Sequence, residues 1–240
     1  TTDMARSILD DILENDRLAA AEGLPACQDT GMAVVFIDIG QEVHIEGDLT
    51  EAIQSGVRRG YRDGFLRNSV VSDPLERVNT GDNTPAMITT RIVPGDKLKI
   101  TVAPKGFGCE NMSRLAMLKP ADGEKAVRNF ILETILNAGP NACPPMVVGV
   151  GIGGSFDKVA EAAKRALLRP VDSQNENPKI AALERDLTEA ANQSGIGPQG
   201  FGGRATVLGV MIETLPTHIA ALPVAVNINC HSTRHETRIL

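Results

Sequence analysis

The chain has 240 residues, with 24 Lys or Arg against 30 Asp or Glu and a net charge of −6. That balance argues against a nucleic-acid partner, which needs a basic footprint, and no Trp, one Tyr and six Phe leave little for a single-strand stacking platform. An apolar fraction of 42% with 22% charged residues is ordinary globular composition, which excludes disorder and a disulfide scaffold, and no apolar run nears the ~18 residues of a membrane span.

Thr1-Thr2-Asp3 carries no basic and apolar leader, so no export signal and a cytoplasmic location are expected. The chain starts without Met and its helical pattern begins almost at once, which reads as trimming upstream. Met4, Ile8, Leu9, Ile12 and Leu13 recur at helical spacing, predicting a helix over 3–21, stopped by Gly23. The polar turn Pro25–Gly31 precedes a strand over 32–39, and His44 follows in an alternating, strand-like stretch. Asp48-Leu49-Thr50-Glu51 has the form of an N-cap with an acidic N3 residue, and Leu49, Ile53 and Val57 continue it as a helix. Strands over 88–93 and 97–103, separated by Pro94-Gly95-Asp96, read as a hairpin. Beyond the glycine loop Lys105–Gly108, a helix carries Val127, Phe130, Ile131 and Ile135. A buried strand over 146–150 leads through Gly151–Gly154 into a helix capped by Ser155.

Arg169–Asn177 is polar and Pro-flanked, the best linker in the chain. Asn177-Pro178 opens another helix in the N-cap and N1 pattern, ended by Gly195. After the glycine-rich stretch 195–203, strands over 207–212 and 224–228 close the pattern. The mixture, with at least one antiparallel pairing, predicts an α+β fold of mixed, partly antiparallel sheets packed with helices. The expected division is an N-terminal region, 1–170, carrying Cys27 and Cys143, and a C-terminal region, 178–240, carrying Cys230, the two forming one compact unit.

Four cysteines without an export signal suggest a reducing compartment, and no pair has the C-x2-C spacing of a zinc ribbon. Cys27, Cys143 and Cys230 stand at element edges, where a scaffold presents functional groups, although free cysteine is also a common core residue. Cys109, in the glycine loop, is open to three readings: fourth ligand, bystander or small filler. Gly149-x-Gly151-x-x-Gly154 has the local context of a dinucleotide loop, but no second parallel strand with an acidic end follows, so a close strand-to-helix turn is the simpler reading. His231 and His235 lie one helical turn apart and, if helical, would share a face with Cys230 suited to zinc. His218 reads as a core or a site histidine, and Arg67 as a surface cation unless a carboxylate substrate needs it. No G-x-S-x-G elbow or Walker loop occurs.

Taken together and in order, Cys27-Gln28-Asp29-Thr30-Gly31, Asn79-Thr80-Gly81-Asp82-Asn83, Lys105-Gly106-Phe107-Gly108, Cys143-Pro144-Pro145, Pro198–Gly203 and Asn229-Cys230-His231 carry a likeness. The chain resembles the alpha subunit of two-subunit class I fumarate hydratases and the related L(+)-tartrate dehydratases, over nearly its whole length. The resemblance implies a [4Fe–4S] cluster held by Cys27, Cys143 and Cys230, one iron being left open to substrate. It implies substrate contacts by Gln28, Asp29, Arg67, Gly108 and His218, with Asp29 and His218 catalytic. It also implies reversible hydration of fumarate to (S)-malate, with tartrate dehydration to oxaloacetate as the alternative, in a site completed by a separate beta subunit, and an alpha–alpha contact. Family chains usually begin earlier and often have Ser at the position of Cys109. A third reading, from another class, is a non-catalytic zinc- or cluster-bearing interaction module.

Overall fold

The computed structural model describes residues 2–240. Thr1, the first residue of the stretch read as lacking a leader, lies outside them. The fold is α+β, as expected, with two four-stranded mixed sheets in two compact units. One unit comprises the segment ending at Glu22 together with Gly108–Thr233, and the other comprises Gly23–Phe107 with Arg234–Leu240.

The elements in chain order are α1 (Asp3–Glu22), β1 (Met32–Gly40), α2 (Leu49–Asp63), β2 (Met87–Val93), β3 (Leu98–Lys105), the single turn α3 (Phe107–Glu110), β4 (Arg114–Leu118), α4 (Gly123–Ala138), β5 (Met146–Gly153), α5 (Phe156–Ala166), α6 (Pro178–Asn192), β6 (Val207–Leu215), β7 (Leu222–Asn229) and β8 (Glu236–Ile239).

The larger unit is built on the sheet β4-β7-β5-β6. Its two inner strands, β5 and β7, are buried almost throughout. On one face, Val148 and Val150 of β5 meet Ile131 and Ile135 of α4 and Leu183 and Leu187 of α6. Each such fully buried aliphatic side chain is worth about 1.5–3 kcal/mol of transfer free energy. On the other face α5 lies directly on β5. A Cβ at Gly149 would stand 2.1 Å from the Ala163 carbonyl oxygen, and one at Gly151 2.2 Å from that of Val159. The glycines of the dinucleotide-like motif therefore serve close helix-on-strand packing.

The outer strand β6 exposes one row of backbone groups, and α6 covers it. Ile212, Val210 and Val207 donate their N–H groups to Glu184 (2.7 Å), the Thr188 hydroxyl (3.1 Å) and Asn192 (2.9 Å), which follow one another at four-residue spacing along one helix face. Such cover keeps an edge from templating further strands. Arg169 pairs with Glu184 at 2.6 Å, and Asn175 donates to the Ile212 carbonyl at 2.8 Å. The stretch expected as a linker is thus a pinned loop inside this unit. Among the described residues of α1, only Ala5 is buried; Met4 and Leu13 stay exposed.

The smaller unit carries the sheet β2-β1-β3-β8, with α2 on one face. Asp48 caps α2 by accepting from the Glu51 N–H at 2.9 Å, and Leu49, Ile53, Val57 and Tyr61 form its apolar stripe. A cavity of about 610 Å³ runs between that stripe and Val35, Ile100 and Val102 of the sheet.

The expected hairpin of β2 and β3 does not form. The buried strand β1 lies between them, parallel to β2 and antiparallel to β3. Its apolar run claims the inner position, while β2 is largely exposed and β3 mostly half-buried. The Pro94-Gly95-Asp96 turn closes over the end of β1 instead. Gly40 donates to the Lys97 carbonyl and Gln41 to that of Val93, and a Cβ at Gly40 would stand 2.2 Å from the Gly95 oxygen. His44, expected on a strand, lies exposed in the following loop. The short β4 and the polar β8 have no counterpart in the sequence reading.

Candidate active site

In the larger unit, topology gathers Cys143 and Cys230. Cys143 precedes β5 and Cys230 follows β7, and these strands pair antiparallel with Val147 opposite Asn229. Both cysteines therefore stand at one end of the sheet. The His231 N–H reaches the Cys143 carbonyl at 3.5 Å. Cys143 has a left-handed backbone (φ +51°) after a short 3-10 turn, and its side chain is exposed. Gln199 secures the next residue, its backbone N–H and its side-chain amide both donating to the Pro144 carbonyl, at 2.8 and 2.9 Å.

Cys109 sits at the same end. It is buried, and its thiol meets the Asn229 side-chain oxygen at 3.6 Å. Gly108, the residue before it, is exposed. Asn227 donates to Glu110 at 2.7 Å and to Ser113 at 2.9 Å, which anchors this segment to the final residues of β7.

His218 is placed elsewhere. It lies in the connection from β6 to β7, where Gly153 of β5 faces Leu215, so it stands at the opposite end of the sheet. The eight residues of β7 separate it from Cys230, roughly 25 Å of extended chain. Its Nδ1 accepts the Ala220 N–H at 3.2 Å, which places the proton of the neutral ring on Nε2.

In the smaller unit, Cys27, Gln28 and Asp29 form the turn before β1. Cys27 and Asp29 are half-buried and Gln28 is exposed. The Asp29 carboxylate is held by two backbone donors, Gly31 N–H at 3.0 Å and Phe107 N–H at 2.9 Å. Arg234 donates to the Asp29 carbonyl at 2.5 Å. Lys105 is buried at 5% exposure and donates to the Gly106 carbonyl at 3.3 Å. Arg67 is exposed, but its backbone is clipped to the turn, its N–H donating to the Thr30 hydroxyl at 2.9 Å. Tyr61 donates to the Gly31 carbonyl at 2.9 Å. Burial pushes its phenol up to about 12, with Arg234 pulling the other way.

Lys105 and Arg234 were not singled out from the sequence for this role. The available signals were a cation opening the glycine loop and another four residues after Cys230. Residues 231–235 are irregular rather than helical, so the zinc-suited face of Cys230, His231 and His235 does not form. His231 is held below the usual histidine range by burial, and its Nδ1 finds no hydrogen-bond partner among the described residues.

No three His, Cys, Asp or Glu side chains among the described residues surround a point suited to a single metal ion. An iron–sulfur cluster makes a different demand, because each thiolate takes its own iron. The donor chemistry fits that demand: Cys27, Cys143 and Cys230 carry thiols outside any disulfide, each at the end of a strand or turn. No helix among the described residues is long and apolar enough to cross a membrane.

Comparison with known proteins adds an independent line. A Methanocaldococcus jannaschii protein provisionally named as an L(+)-tartrate dehydratase subunit alpha is 41% identical over 98% of this chain and 84% of its own length. The L(+)-tartrate dehydratase subunit alpha of Escherichia coli O157:H7 is 37% identical over 100% of this chain and 80% of its own length, and that of strain K12 is 36% identical over the same shares. The family model described as "Fumarate hydratase (Fumerase)" matches residues 1–239, and the chain belongs to this family of hydro-lyases.

Proposed function

We propose that this chain is the alpha subunit of an iron–sulfur hydro-lyase that acts on a four-carbon dicarboxylate and shares its active site with a separate beta subunit. The observation that carries the reading is the pairing of β5 with β7, which sets Cys143 and Cys230 at one sheet end. Two non-adjacent cysteines brought to one sheet end by strand pairing support a ligand role for both. Cys27 would be the third ligand. When bound, a [4Fe–4S] cluster with one open iron supplies a Lewis acid able to polarise a hydroxyl.

The chain's own residues do the rest. Arg67 would pair with a substrate carboxylate as a two-pronged donor. Gln28 would add a neutral donor or acceptor beside it, and Gly108 an unobstructed backbone approach. Asp29, oriented through both oxygens by Gly31 and Phe107, would exchange a proton with substrate without having to reorient. His218 would do so through Nε2. Because it lies at the far end of the sheet from Cys143 and Cys230, the ring acting beside them would come from a second copy of the chain, a chemical purpose for the expected alpha–alpha contact. The groups that complete the carboxylate clamp would come from the beta subunit.

L(+)-tartrate is the first substrate reading, because the named relatives that align along the whole chain are tartrate dehydratase alpha subunits. Fumarate and (S)-malate are the second, favoured by the family description. Anaerobic assay of the chain with and without its beta subunit, on both substrates, tests this. Turnover that appears only with both chains supports the reading. Full turnover by the single chain, or none on either substrate with both chains and a full complement of iron, contradicts it.

A further inference from the structure

The segment Asn79-Thr80-Gly81-Asp82-Asn83 has no part in the chemistry described so far, yet it contains the most deeply buried polar side chain near the Asp29 turn. Asn83 has 0% exposure and a left-handed backbone (φ +59°), a conformation that asparagine tolerates better than most residues. Both ends of its amide engage main chain. The Oδ1 atom accepts from Ser69 N–H at 2.7 Å and Val70 N–H at 3.2 Å, and Nδ2 donates to the Gly31 carbonyl at 3.1 Å. One side chain thus joins the strand-side end of the Gln28–Gly31 turn to the segment immediately after Arg67.

The surrounding contacts repeat the connection. Thr30 is buried, and its hydroxyl holds the Arg67 N–H. Asn68 donates to the Gly81 carbonyl at 2.7 Å, Asn79 donates back to the Asn68 carbonyl at 3.0 Å, and Thr80 N–H reaches the Val70 carbonyl at 3.0 Å. Asp82 fastens the end of the loop by accepting from both the backbone and the hydroxyl of Thr84. The 67–71 segment has no regular pairing beyond the single bridge of Val71 with Asn79. Its path is therefore set mainly by side-chain amides and hydroxyls, with the Thr80–Val70 backbone bond beside them.

We propose that Asn83 is a positioning residue, which with Thr30 fixes the backbone at Arg67 and just after it against the Gln28–Gly31 turn and so sets the carboxylate-binding geometry. This rests on the reading of Arg67 as a substrate contact. A long cation on an irregular segment loses affinity when its backbone wanders, because a two-pronged contact depends on both distance and angle.

The test is a double-mutant cycle on the assembled, cluster-loaded enzyme, with KM and kcat measured separately and amide exchange of this chain followed in parallel. Asn83→Ala is expected to raise KM about tenfold with a smaller change in kcat, and to speed exchange at Ser69 and Val70. Thr30→Val is expected to act in the same direction and Thr30→Ser to restore KM, which keeps the test alive should Asn83→Ala fail to fold. In an Arg67→Ala background, Asn83→Ala and Thr30→Val should add almost nothing. Losses that add in full to that of Arg67→Ala, or faster exchange with unchanged KM, would overturn the positioning role. An Arg67→Ala enzyme with normal KM would instead overturn the reading of Arg67 itself.

Discussion

The two units reach their stability by different routes. The larger one is a sheet filled from both faces, its central strands buried along most of their length and its outer strand β6 sealed by three side chains of α6. The smaller one has a single helix on its sheet and a cavity of about 610 Å³ beneath that helix, and its Gln28–Gly31 turn is held by hydrogen bonds from Asn83, Thr30, Tyr61 and Arg234. Close apolar packing fixes the first. The second depends more on polar networks, which are directional and fail locally when one member is removed. The proposed ligand pair Cys143 and Cys230 belongs to the rigid style, and the proposed substrate residues Gln28, Asp29 and Arg67 to the networked one.

The largest expected effect bears on chemistry in the networked unit. Asp29→Asn keeps the size of the side chain but leaves a single acceptor oxygen for the Gly31 and Phe107 N–H groups and cannot take a proton, so kcat should fall about 10²–10⁴-fold. Normal turnover would remove Asp29 from the mechanism. Next come the cores. Ile131→Ala, in the filled unit, should cost about 2–5 kcal/mol. Ile53→Ala, beside the cavity, should cost nearer 1 kcal/mol. Denaturant midpoints of the two variants read the difference directly, and equal losses would break the contrast. Glu184→Ala should cost about 3 kcal/mol, since it strands Arg169 and the Ile212 N–H together.

Tyr61 offers a spectroscopic test, because it is the one tyrosine and there is no tryptophan. Its phenol should titrate at about 12 rather than 10.0. The folded state favours the neutral form, so the stability linked to this group is complete below pH 10.0 and is lost as pH rises toward about 12. Ultraviolet difference spectra check the midpoint, and Tyr61→Phe should remove this part of the alkaline loss. The smallest effect is a gain. Gly56→Ala in α2 meets nothing within 4 Å and should stabilise by about 0.5–1 kcal/mol, visible as a small rise in Tm.

Local chemistry made the helices and two of their caps readable in advance, whereas Ser155, the third expected cap, turns its hydroxyl to the Asp157 carboxylate and caps no backbone N–H of α5. The Asp48 and Asn177 caps and the apolar stripe of α2 follow from residues a turn or two apart. Pairings between distant segments were not accessible in this way. Pro94-Gly95-Asp96 has the composition of a hairpin turn, and nothing nearby announces that β1 slips between its arms. Likewise, Cys27, Cys143 and Cys230 could be placed at element edges, but the partnership of Cys143 with Cys230 needed the non-local register of β5 and β7. The same register sends His218 to the far end, against the simple expectation that a histidine shortly before Cys230 stays near it. The role of Asn83 was hidden because a buried amide that bridges three backbone groups looks, in sequence, like any loop asparagine.

The proposed cluster is tested most directly by iron and acid-labile sulfide content after anaerobic reconstitution of the parent chain and of Cys27→Ser, Cys143→Ser, Cys230→Ser and Cys109→Ser variants. The expected result is about four irons per chain for the parent and for Cys109→Ser, and loss of the cluster in the other three. A full cluster that survives removal of Cys27, Cys143 or Cys230, or one zinc per chain in its place, would contradict the account.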